Sequence, residues 1–533
     1  MTDRGYGTPT TRRTFLVGAA ILGATPAIGA TAAPVATTRN GKVRGVSDNG
    51  VLIFRGVPYG ASTAGPNRFR APQPVASWRG IRDATRFASA SPQHPDGAFD
   101  NVSEALSPSE DCLMLNIWTP DLQAAAKRPV MVWFHGGGYA VGSGQERVND
   151  GANLARKQDV VLVTVNHRLN VFGYTWFGDT VAAHETAANP GMLDLVAALR
   201  WVRDNIAAFG GDAGNVTIFG QSGGGGKVST VMTMPSAKGL FHKAILQSGF
   251  ATSTTPPELA TAGAARLFEA AGLQRGDIAG LRQLTTQQML DAYWKATDGV
   301  PLRGAYVVAD SDVLPRVPFV PGQPTPSPDV PVLLGSNATE TTVLFPPKEA
   351  FTATWNSLPG LLANASALRP ALKIREVSAL IEGYRRVMPG SSAADVYFAI
   401  TTNAGMGKNA RIVADNRVAS STQPVWKYLV RWHTDVEGGR WRAPHGVELP
   451  MVFDTVAQTF STIGNNRAPY QKMANILSPM WAQFARTGNP NKPGLPEWRL
   501  YKSGERATMV FDIVSRTEVD PTGVEQALVE AYY

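Results

Sequence analysis

Residues 220–224 are Gly220-Gln221-Ser222-Gly223-Gly224, a G-x-S-x-G pentapeptide that directly follows the apolar run Val216-Thr217-Ile218-Phe219 and leads into a helix-compatible stretch. In this context the serine is expected on a sharp turn from strand to helix, with its hydroxyl exposed at the end of a sheet. The glycines around it remove the Cβ clashes that so tight a turn would cause. Because a free serine hydroxyl is a weak nucleophile, Ser222 also requires a base and an acid that orients the base.

Apolar runs on either side of this stretch alternate with segments of helical pattern. The runs are short, rich in valine and isoleucine and mostly continuous, which is typical of strands buried on both faces. Residues 191–209 place apolar side chains at spacings of three and four, which predicts one helix that ends at Gly210-Gly211. Strand, helix and strand at this length predict an α/β fold with a mostly parallel central sheet flanked by helices. The predicted strands are Val130–Phe134, Val160–Val165, Val216–Phe219, Ala244–Gln247, Val332–Leu334 and Val425–Val430.

Two segments that fit this alternation less well are predicted to be insertions. Residues 252–328 contain a helical stretch at 257–271, and residues 357–416 are predicted to add further helices. We interpret both segments as insertions that cover the active end of the sheet. We therefore predict that residues 33–533 form one domain, which contains both insertions and a late amphipathic helix at 473–486.

A second glycine-rich stretch supplies what a serine nucleophile needs beside it. The strand at 130–134 ends in His135-Gly136-Gly137-Gly138, whose glycines allow backbone N–H groups to approach a reacting carbonyl group closely. With the N–H of Gly223, the residue after the nucleophile, such amides stabilise a developing oxyanion. Either motif alone also suits an ordinary glycine turn. The two together, each after a strand and in the expected order, predict a serine hydrolase.

Three histidines follow Ser222 in the chain and are candidates for the base, since this architecture has the order serine, acid, histidine. His242 comes too soon to leave room for a strand that carries the acid, and His433 ends a strand-like segment. His445 lies in the loop 444–450 after that segment, where an imidazole can be aimed at the serine. His445 is therefore the preferred base, although an ordinary surface loop would show the same pattern.

The acid is expected after a strand that lies between the serine and the histidine. Glu340 meets this condition because it follows the apolar run 332–334. A carboxylate there would hold the imidazole in the required tautomer and stabilise its charged form. The competitors are Asp310, Asp312 and Glu448.

Composition excludes several classes of protein. The 533 residues include 44% hydrophobic and 17% charged side chains, which suits a large packed core and excludes a disordered chain. The net charge of +8 is not gathered in a dense basic run, and no nucleic-acid motif is present. Cys112 is the only cysteine, so that an intramolecular disulfide and a cysteine metal site are excluded, and its apolar neighbours favour a small buried residue.

Residues 1–32 have the pattern of a twin-arginine export signal. Arg12-Arg13 precedes an apolar stretch at 15–24 that is too short to span a bilayer, and Ala30-Thr31-Ala32 is an A-x-A cleavage site. We therefore expect export of the folded chain, to the periplasm or the medium. No cysteine stands near the cleavage site, which argues against a lipoprotein anchor, and no stable membrane anchor is expected.

With these motifs, nearly the whole chain after the signal resembles the type-B carboxylesterases. This family of α/β hydrolases includes bacterial para-nitrobenzyl esterases, animal carboxylesterases and cholinesterases. The chain departs from the family's usual G-E-S-A-G at Gln221 and Gly223. The segments that carry the resemblance are Phe54-Arg55-Gly56-Val57-Pro58-Tyr59, Arg68-Phe69, Trp78-Arg79-Gly80, Ser109-Glu110-Asp111-Cys112-Leu113, Phe209-Gly210-Gly211-Asp212 and Thr487-Gly488-Asn489-Pro490-Asn491.

The resemblance implies an α/β-hydrolase fold with lid-type insertions and an enzyme that cleaves small carboxylic esters. It implies neither a metal nor an organic cofactor, and it leaves the oligomeric state open. Two alternatives remain open as well: the same residues could cleave amides or carbamates, and some members of the family are non-catalytic binding modules. The resemblance assigns the triad to Ser222, His445 and Glu340, and the oxyanion hole to Gly137, Gly138 and Gly223.

Overall fold

A sheet of eleven strands organises the part of the chain that the structure, a computed structural model, describes. The predicted export signal and the competing acid Asp310 lie outside that part. The segment Pro34–Tyr533 forms one compact unit. The described residues are 33–94, 108–309, 311–344, 346–365, 374–458 and 462–532.

The strands fall into the large sheet and a small one near the start of the chain. Their bounds are β1 (Val35–Thr38), β2 (Gly41–Arg44), β3 (Val46–Asp48), β4 (Val51–Pro58), β5 (Ile81–Asp83), β6 (Met114–Thr119), β7 (Arg128–Phe134), β8 (Val161–Val165), β9 (Gly211–Gln221), β10 (Lys243–Gln247), β11 (Val332–Asn337), β12 (Val425–Val430), β13 (Ala507–Phe511) and β14 (Arg516–Val519). The small sheet has the order β1-β2-β5, and the large one has the order β14-β13-β12-β11-β10-β9-β7-β8-β6-β4-β3.

The middle of the large sheet is parallel, and its edges are antiparallel. Strands β8, β7, β9, β10, β11, β12 and β13 are parallel neighbours, whereas β6, β4 and β3 at one edge and β14 at the other pair antiparallel. The six predicted strands and the mostly parallel sheet are thus confirmed. Strand β9 begins at Gly211, well before the predicted Val216, because its polar first half pairs with β7 across a register shift.

Helices flank the sheet in the described residues, and none of them is long and apolar enough to cross a bilayer. The helix predicted at 191–209 is Pro190–Asn205 followed by a 3₁₀ turn, Ile206–Phe209, and it ends as expected at Gly210 with φ 77°. The α-helices are α1 (Ala152–Gln158), α2 (Asn170–Tyr174), α3 (Pro190–Asn205), α4 (Gly223–Thr233), α5 (Pro257–Ala270), α6 (Ile278–Gln283), α7 (Thr286–Ala296), α8 (Leu358–Ala363), α9 (Ile374–Val387), α10 (Ala393–Thr402), α11 (Lys408–Ser420), α12 (Leu449–Val452), α13 (Arg467–Thr487) and α14 (Gly523–Tyr532).

Each face of the large sheet has its own apolar core. Along β7, Val130 and Val132 pack into the core beneath α3 and α4, while Met131 and Trp133 pack into the core beneath α13. Successive side chains of a strand point to opposite faces, so a strand that is apolar at every position is buried on both. This is the physical reason why continuous apolar runs predicted the sheet correctly.

The two insertions carry small cores of their own. Helices α5, α6 and α7 share one apolar cluster with Phe69 and Phe172, and helices α8, α9, α10 and α14 share another. The first insertion reaches the glycine loop after β7, since a Cβ placed on Gly138 would lie 2.5 Å from a methyl carbon of Leu302. The insertion at 252–328 therefore borders the end of the sheet where Ser222 is found.

Candidate active site

Ser222 occupies a strained turn between β9 and α4. Its φ of 58° and ψ of −127° lie outside the regions that L-residues favour. Backbone hydrogen bonds hold this conformation from both sides: the Ser222 N–H donates to the Gln247 carbonyl at 2.8 Å, and the Ser222 carbonyl accepts from Gly226 at 3.1 Å. Strain that surrounding structure holds in place is typical of functional sites, and here it leaves Ser222 only half-buried at the end of the sheet.

The two glycines after Ser222 make close contacts with the loop that follows β7. A Cβ on Gly224 would lie 2.0 Å from the Phe134 carbonyl oxygen, and a Cβ on Gly223 would lie 2.5 Å from the Gly138 nitrogen. Real Cβ atoms essentially never approach so closely, so a larger residue at either position would force the neighbouring backbone to shift. The glycine loop predicted to carry oxyanion donors therefore lies directly against the turn that carries Ser222.

The amides of Gly137, Gly138 and Gly223 have no hydrogen-bond acceptor among the described residues. Gly137 and Gly138 have φ values of 83° and 57°, a left-handed conformation that glycine adopts without strain. Three unused N–H donors beside a half-buried serine hydroxyl form a suitable hole for a negatively charged oxygen.

Glu340 and His445 are in contact, although 105 positions separate them in the chain. Glu340 lies in a 3₁₀ turn just after β11 and is completely buried. Its Oε2 lies 2.5 Å from His445 Nδ1, and its Oε1 accepts hydrogen bonds from the Ser248 hydroxyl and the Asn337 N–H, both at 2.6 Å. A carboxylate held on both oxygens fixes the imidazole ring that donates to it.

The environment of His445 suits a general base. Burial lowers its pKa, but the charge of Glu340, the hydrogen bond to Glu340 and the charge of Glu448 outweigh burial, and the pKa lies above its ordinary value. Because Nδ1 donates to a carboxylate, Nε2 is the free acceptor, and it has no partner among the described residues. A Cβ on Gly446, the next residue, would lie 3.5 Å from Gln221 Nε2, so the His445 loop lies against the Ser222 turn.

The competing candidates lie elsewhere or bind other groups. Glu448 is buried, and it accepts hydrogen bonds from Asn337 Nδ2 at 2.8 Å and Gln247 Nε2 at 3.2 Å. Asp312 is exposed on a bend. His242 Nδ1 accepts from the Val216 N–H in the middle of β9. His433 lines a cavity of about 410 Å³ between β12, α10 and α14.

Sequence reasoning missed four polar residues of this region. Ser248 and Asn337 hold Glu340, and Gln247 links Glu448 to the Trp481 indole N–H. Lys227 is completely buried near the start of α4. The sequence contains a signal for these residues, because each is polar at the end of an apolar strand or within a segment of small and apolar residues.

Comparison with known proteins identifies the family of this chain. The profile of the carboxylesterase family matches residues 32–528. The chain belongs to the carboxylesterase family. It is 32% identical to the para-nitrobenzyl esterase of Bacillus subtilis (strain 168) over 91% of this chain and 96% of that protein, and 30% identical to the phenmedipham hydrolase of Pseudarthrobacter oxydans over 90% and 94%.

A solved structure supports the same conclusion for the fold of this carboxylesterase. Carboxylesterase EST55 of Geobacillus stearothermophilus matches with a TM-score of 0.81 and 34% identity, over 93% of this chain and 99% of that one. The predicted α/β-hydrolase fold is confirmed, and the protein is a carboxylic ester hydrolase. In the described residues, no three His, Cys, Asp or Glu side chains are arranged to hold a metal ion. The roles assigned to individual residues remain predictions.

Proposed function

We propose that this carboxylesterase is an exported serine esterase that works through an acyl-enzyme on Ser222. The Ser222 hydroxyl attacks the ester carbonyl carbon while His445 Nε2 takes its proton. The alcohol then leaves with that proton, and a water molecule, deprotonated by the same nitrogen, releases the carboxylic acid. Glu340 keeps the imidazole in the tautomer that has Nε2 free and stabilises the imidazolium formed in each step.

The negative oxygen of both tetrahedral intermediates is assigned to the amides of Gly137, Gly138 and Gly223. These donors are held in place before the substrate binds, so no reorganisation is needed when charge develops. The N-terminus of α4 also points its positive dipole at this position.

One observation carries the proposal: the buried Glu340–His445 hydrogen bond leaves Nε2 without a partner among the described residues, on a loop that lies against the strained turn of Ser222. His184 also lies near a carboxylate, but its partner Glu185 is 30% exposed, whereas the Glu340 carboxylate beside His445 is completely buried. A catalytic imidazole must be both oriented on one nitrogen and open on the other, and His445 meets both conditions.

The test is to replace Ser222 and His445 singly by alanine. Each change is expected to lower kcat on a para-nitrophenyl ester by about 10⁶, because the members of such a triad act as a unit. Circular dichroism and thermal unfolding are the folding controls. Wild type should be labelled by a fluorophosphonate and Ser222→Ala should not. Near-normal turnover by folded Ser222→Ala would refute the assignment.

The substrate class is proposed from the names of the relatives. One of them is a para-nitrobenzyl esterase, and we infer that para-nitrobenzyl esters are substrates of this chain too. The preference of the site would be measured with three substrates: an ester, the amide of the same acyl group, and a carbamate of the same alcohol. Faster cleavage of the amide than of the ester would contradict the proposal.

A further inference from the structure

A buried lysine lies beneath the glycine loop that the proposed mechanism uses. Lys227 is in the second turn of α4, and none of its surface is exposed. Its side chain runs back toward the helix start, the usual direction in helices. There Nζ donates hydrogen bonds to the carbonyl oxygens of His135 at 2.8 Å and Gly136 at 3.3 Å.

Packing alone does not account for a lysine at this position. Burial of an ammonium group is costly, and a cation near a helix N-terminus gains nothing from the dipole. Burial lowers the pKa of Lys227 to about 7, although the nearby charge of Glu146 acts in the opposite direction. An unbranched apolar side chain such as methionine would fill the same space without these costs.

The two carbonyl groups that Lys227 contacts belong to the glycine loop after β7, whose amides are assigned to the oxyanion in the proposed mechanism. The Gly136 carbonyl shares its planar, resonance-stabilised amide group with the Gly137 N–H. A cation on the carbonyl oxygen draws electron density from the amide nitrogen, which makes the N–H a stronger donor. The same hydrogen bonds fix the orientation of the loop, whose Gly137 and Gly138 amides have no other use in the described residues.

Among the described residues, the titratable groups around the Lys227 ammonium do not supply a second unpaired positive charge beneath the glycine loop. His135 and His167 stack with ring centroids 4.9 Å apart, and burial, with the charge of Lys227, holds the pKa of both well below its ordinary value. The Tyr139 ring lies 5.5 Å from Nζ. Burial raises the pKa of Glu146 to about 7. Arg168, the next cation, is paired with Asp194 in a buried ion pair.

We propose that Lys227 is a positioning residue of the oxyanion hole. Its ammonium orients and polarises the peptide that carries the Gly137 N–H, and through that donor it stabilises the tetrahedral intermediate. This inference rests on the esterase mechanism proposed above. Its effect is expected on kcat, because the charge that it stabilises develops only in the transition state.

A pH dependence follows from the geometry. The ammonium polarises the loop only when it is protonated, and deprotonation with rising pH removes the effect. The rate of the wild-type enzyme should therefore show a falling limb above about pH 7, the value to which burial brings the pKa of Lys227. Glu146 stabilises the ammonium, so Glu146→Gln should move that limb to lower pH.

The experiment compares Lys227→Met with wild type and with a control on the same helix. Ser229→Ala is the control, since the Ser229 hydroxyl is buried and donates only to the Gly225 carbonyl within α4. Lys227→Met should lower kcat about 10- to 100-fold, less than the loss of a direct oxyanion donor, with KM changed less than about threefold. It should also weaken inhibition by phenylboronic acid, which forms a tetrahedral adduct with the serine, and abolish the falling limb. Ser229→Ala should change none of these.

The outcomes separate this inference from the proposed function. A wild-type protein that a fluorophosphonate does not label would overturn the serine mechanism itself. Normal labelling together with wild-type kcat and an unchanged falling limb in Lys227→Met would overturn only the role of Lys227. If Lys227→Met does not fold, Glu146→Gln decides, because an unmoved limb in that variant contradicts the inference and a limb moved to lower pH supports it.

Discussion

At the scale of single residues, two buried carboxylates close to His445 have different partners and therefore different tasks. Glu340 binds the imidazole, whereas Glu448 binds the side-chain amides of Asn337 and Gln247. Burial and the charge of Glu340 raise the pKa of Glu448. Glu448 thus adds negative potential near His445 without orienting its ring.

Replacement of the two carboxylates should separate these tasks. Glu340→Gln keeps the shape but favours the wrong imidazole tautomer, an effect of about 10⁴ in kcat in the serine-protease template. Glu448→Gln should cost far less, and Asp312→Asn, on an exposed bend, should cost nothing. The measurement is kcat on one activated ester for all three variants. A larger loss in Glu448→Gln than in Glu340→Gln would move the acid to Glu448.

The pH profile should report the raised pKa of His445. A general base acts when it is neutral, so a pKa above the ordinary value of 6.5 shifts the rising limb of kcat/KM upward, to a midpoint above pH 6.5. In Glu340→Gln the largest opposing charge is gone and burial prevails, so the midpoint should fall. A wild-type midpoint below 6.5, or one that does not move in the variant, would contradict this account of the site.

At the scale of elements, a buried ion pair explains two of the motifs that carry the family resemblance. Arg68 and Glu110 form a two-pronged pair, with Nε–Oε2 at 2.9 Å and an Nη–Oε1 distance of 2.5 Å, and both side chains are almost completely buried. Arg68 also donates to the carbonyl groups of Leu281 and Leu284 at 2.8 and 2.9 Å. The pair thus joins two early loops to the first insertion.

Removal of one partner of this pair should destabilise the fold strongly. Glu110→Gln leaves the Arg68 charge buried without its counter-ion, which costs about 3–5 kcal/mol in comparable cases. The control is Glu382→Gln, which breaks the exposed pair with Arg385 and should cost about 0–1 kcal/mol. Urea unfolding followed by tryptophan fluorescence measures both. Equal midpoints for the two variants would show that the Arg68–Glu110 pair contributes little.

At the scale of the whole molecule, the export signal is a proposal that can be tested without the fold. We expect the mature chain to begin near Ala33, after the A-x-A site at 30–32. Replacement of Arg12 and Arg13 together by lysine should leave the precursor in the cytoplasm, while Arg4→Lys should not. N-terminal sequencing and cell fractionation provide the readouts. Unchanged export of the double variant would exclude the twin-arginine route.

The sequence by itself determined the parts of this protein that depend on local pattern. Continuous apolar runs predicted six buried strands, and the glycines around Ser222 predicted a turn, because burial and backbone conformation act over a few neighbouring residues. The start of β9 was predicted at Val216, but the strand begins at Gly211. Its polar first half is a strand through pairing with β7, which no local property shows.

The site is the part that only the tertiary structure decided. Three histidines and four carboxylates were open in the sequence as base and acid. The structure brings Glu340 to His445 and directs Glu448, three residues from His445, to other partners. Lys227 stands out in the sequence only as a charge within a segment of small and apolar residues, and its contacts arise because α4 packs against the loop after β7. Contacts between residues distant in the chain depend on how parallel strands bring their ends together at one edge of the sheet. No local pattern in the sequence shows which of these residues meet.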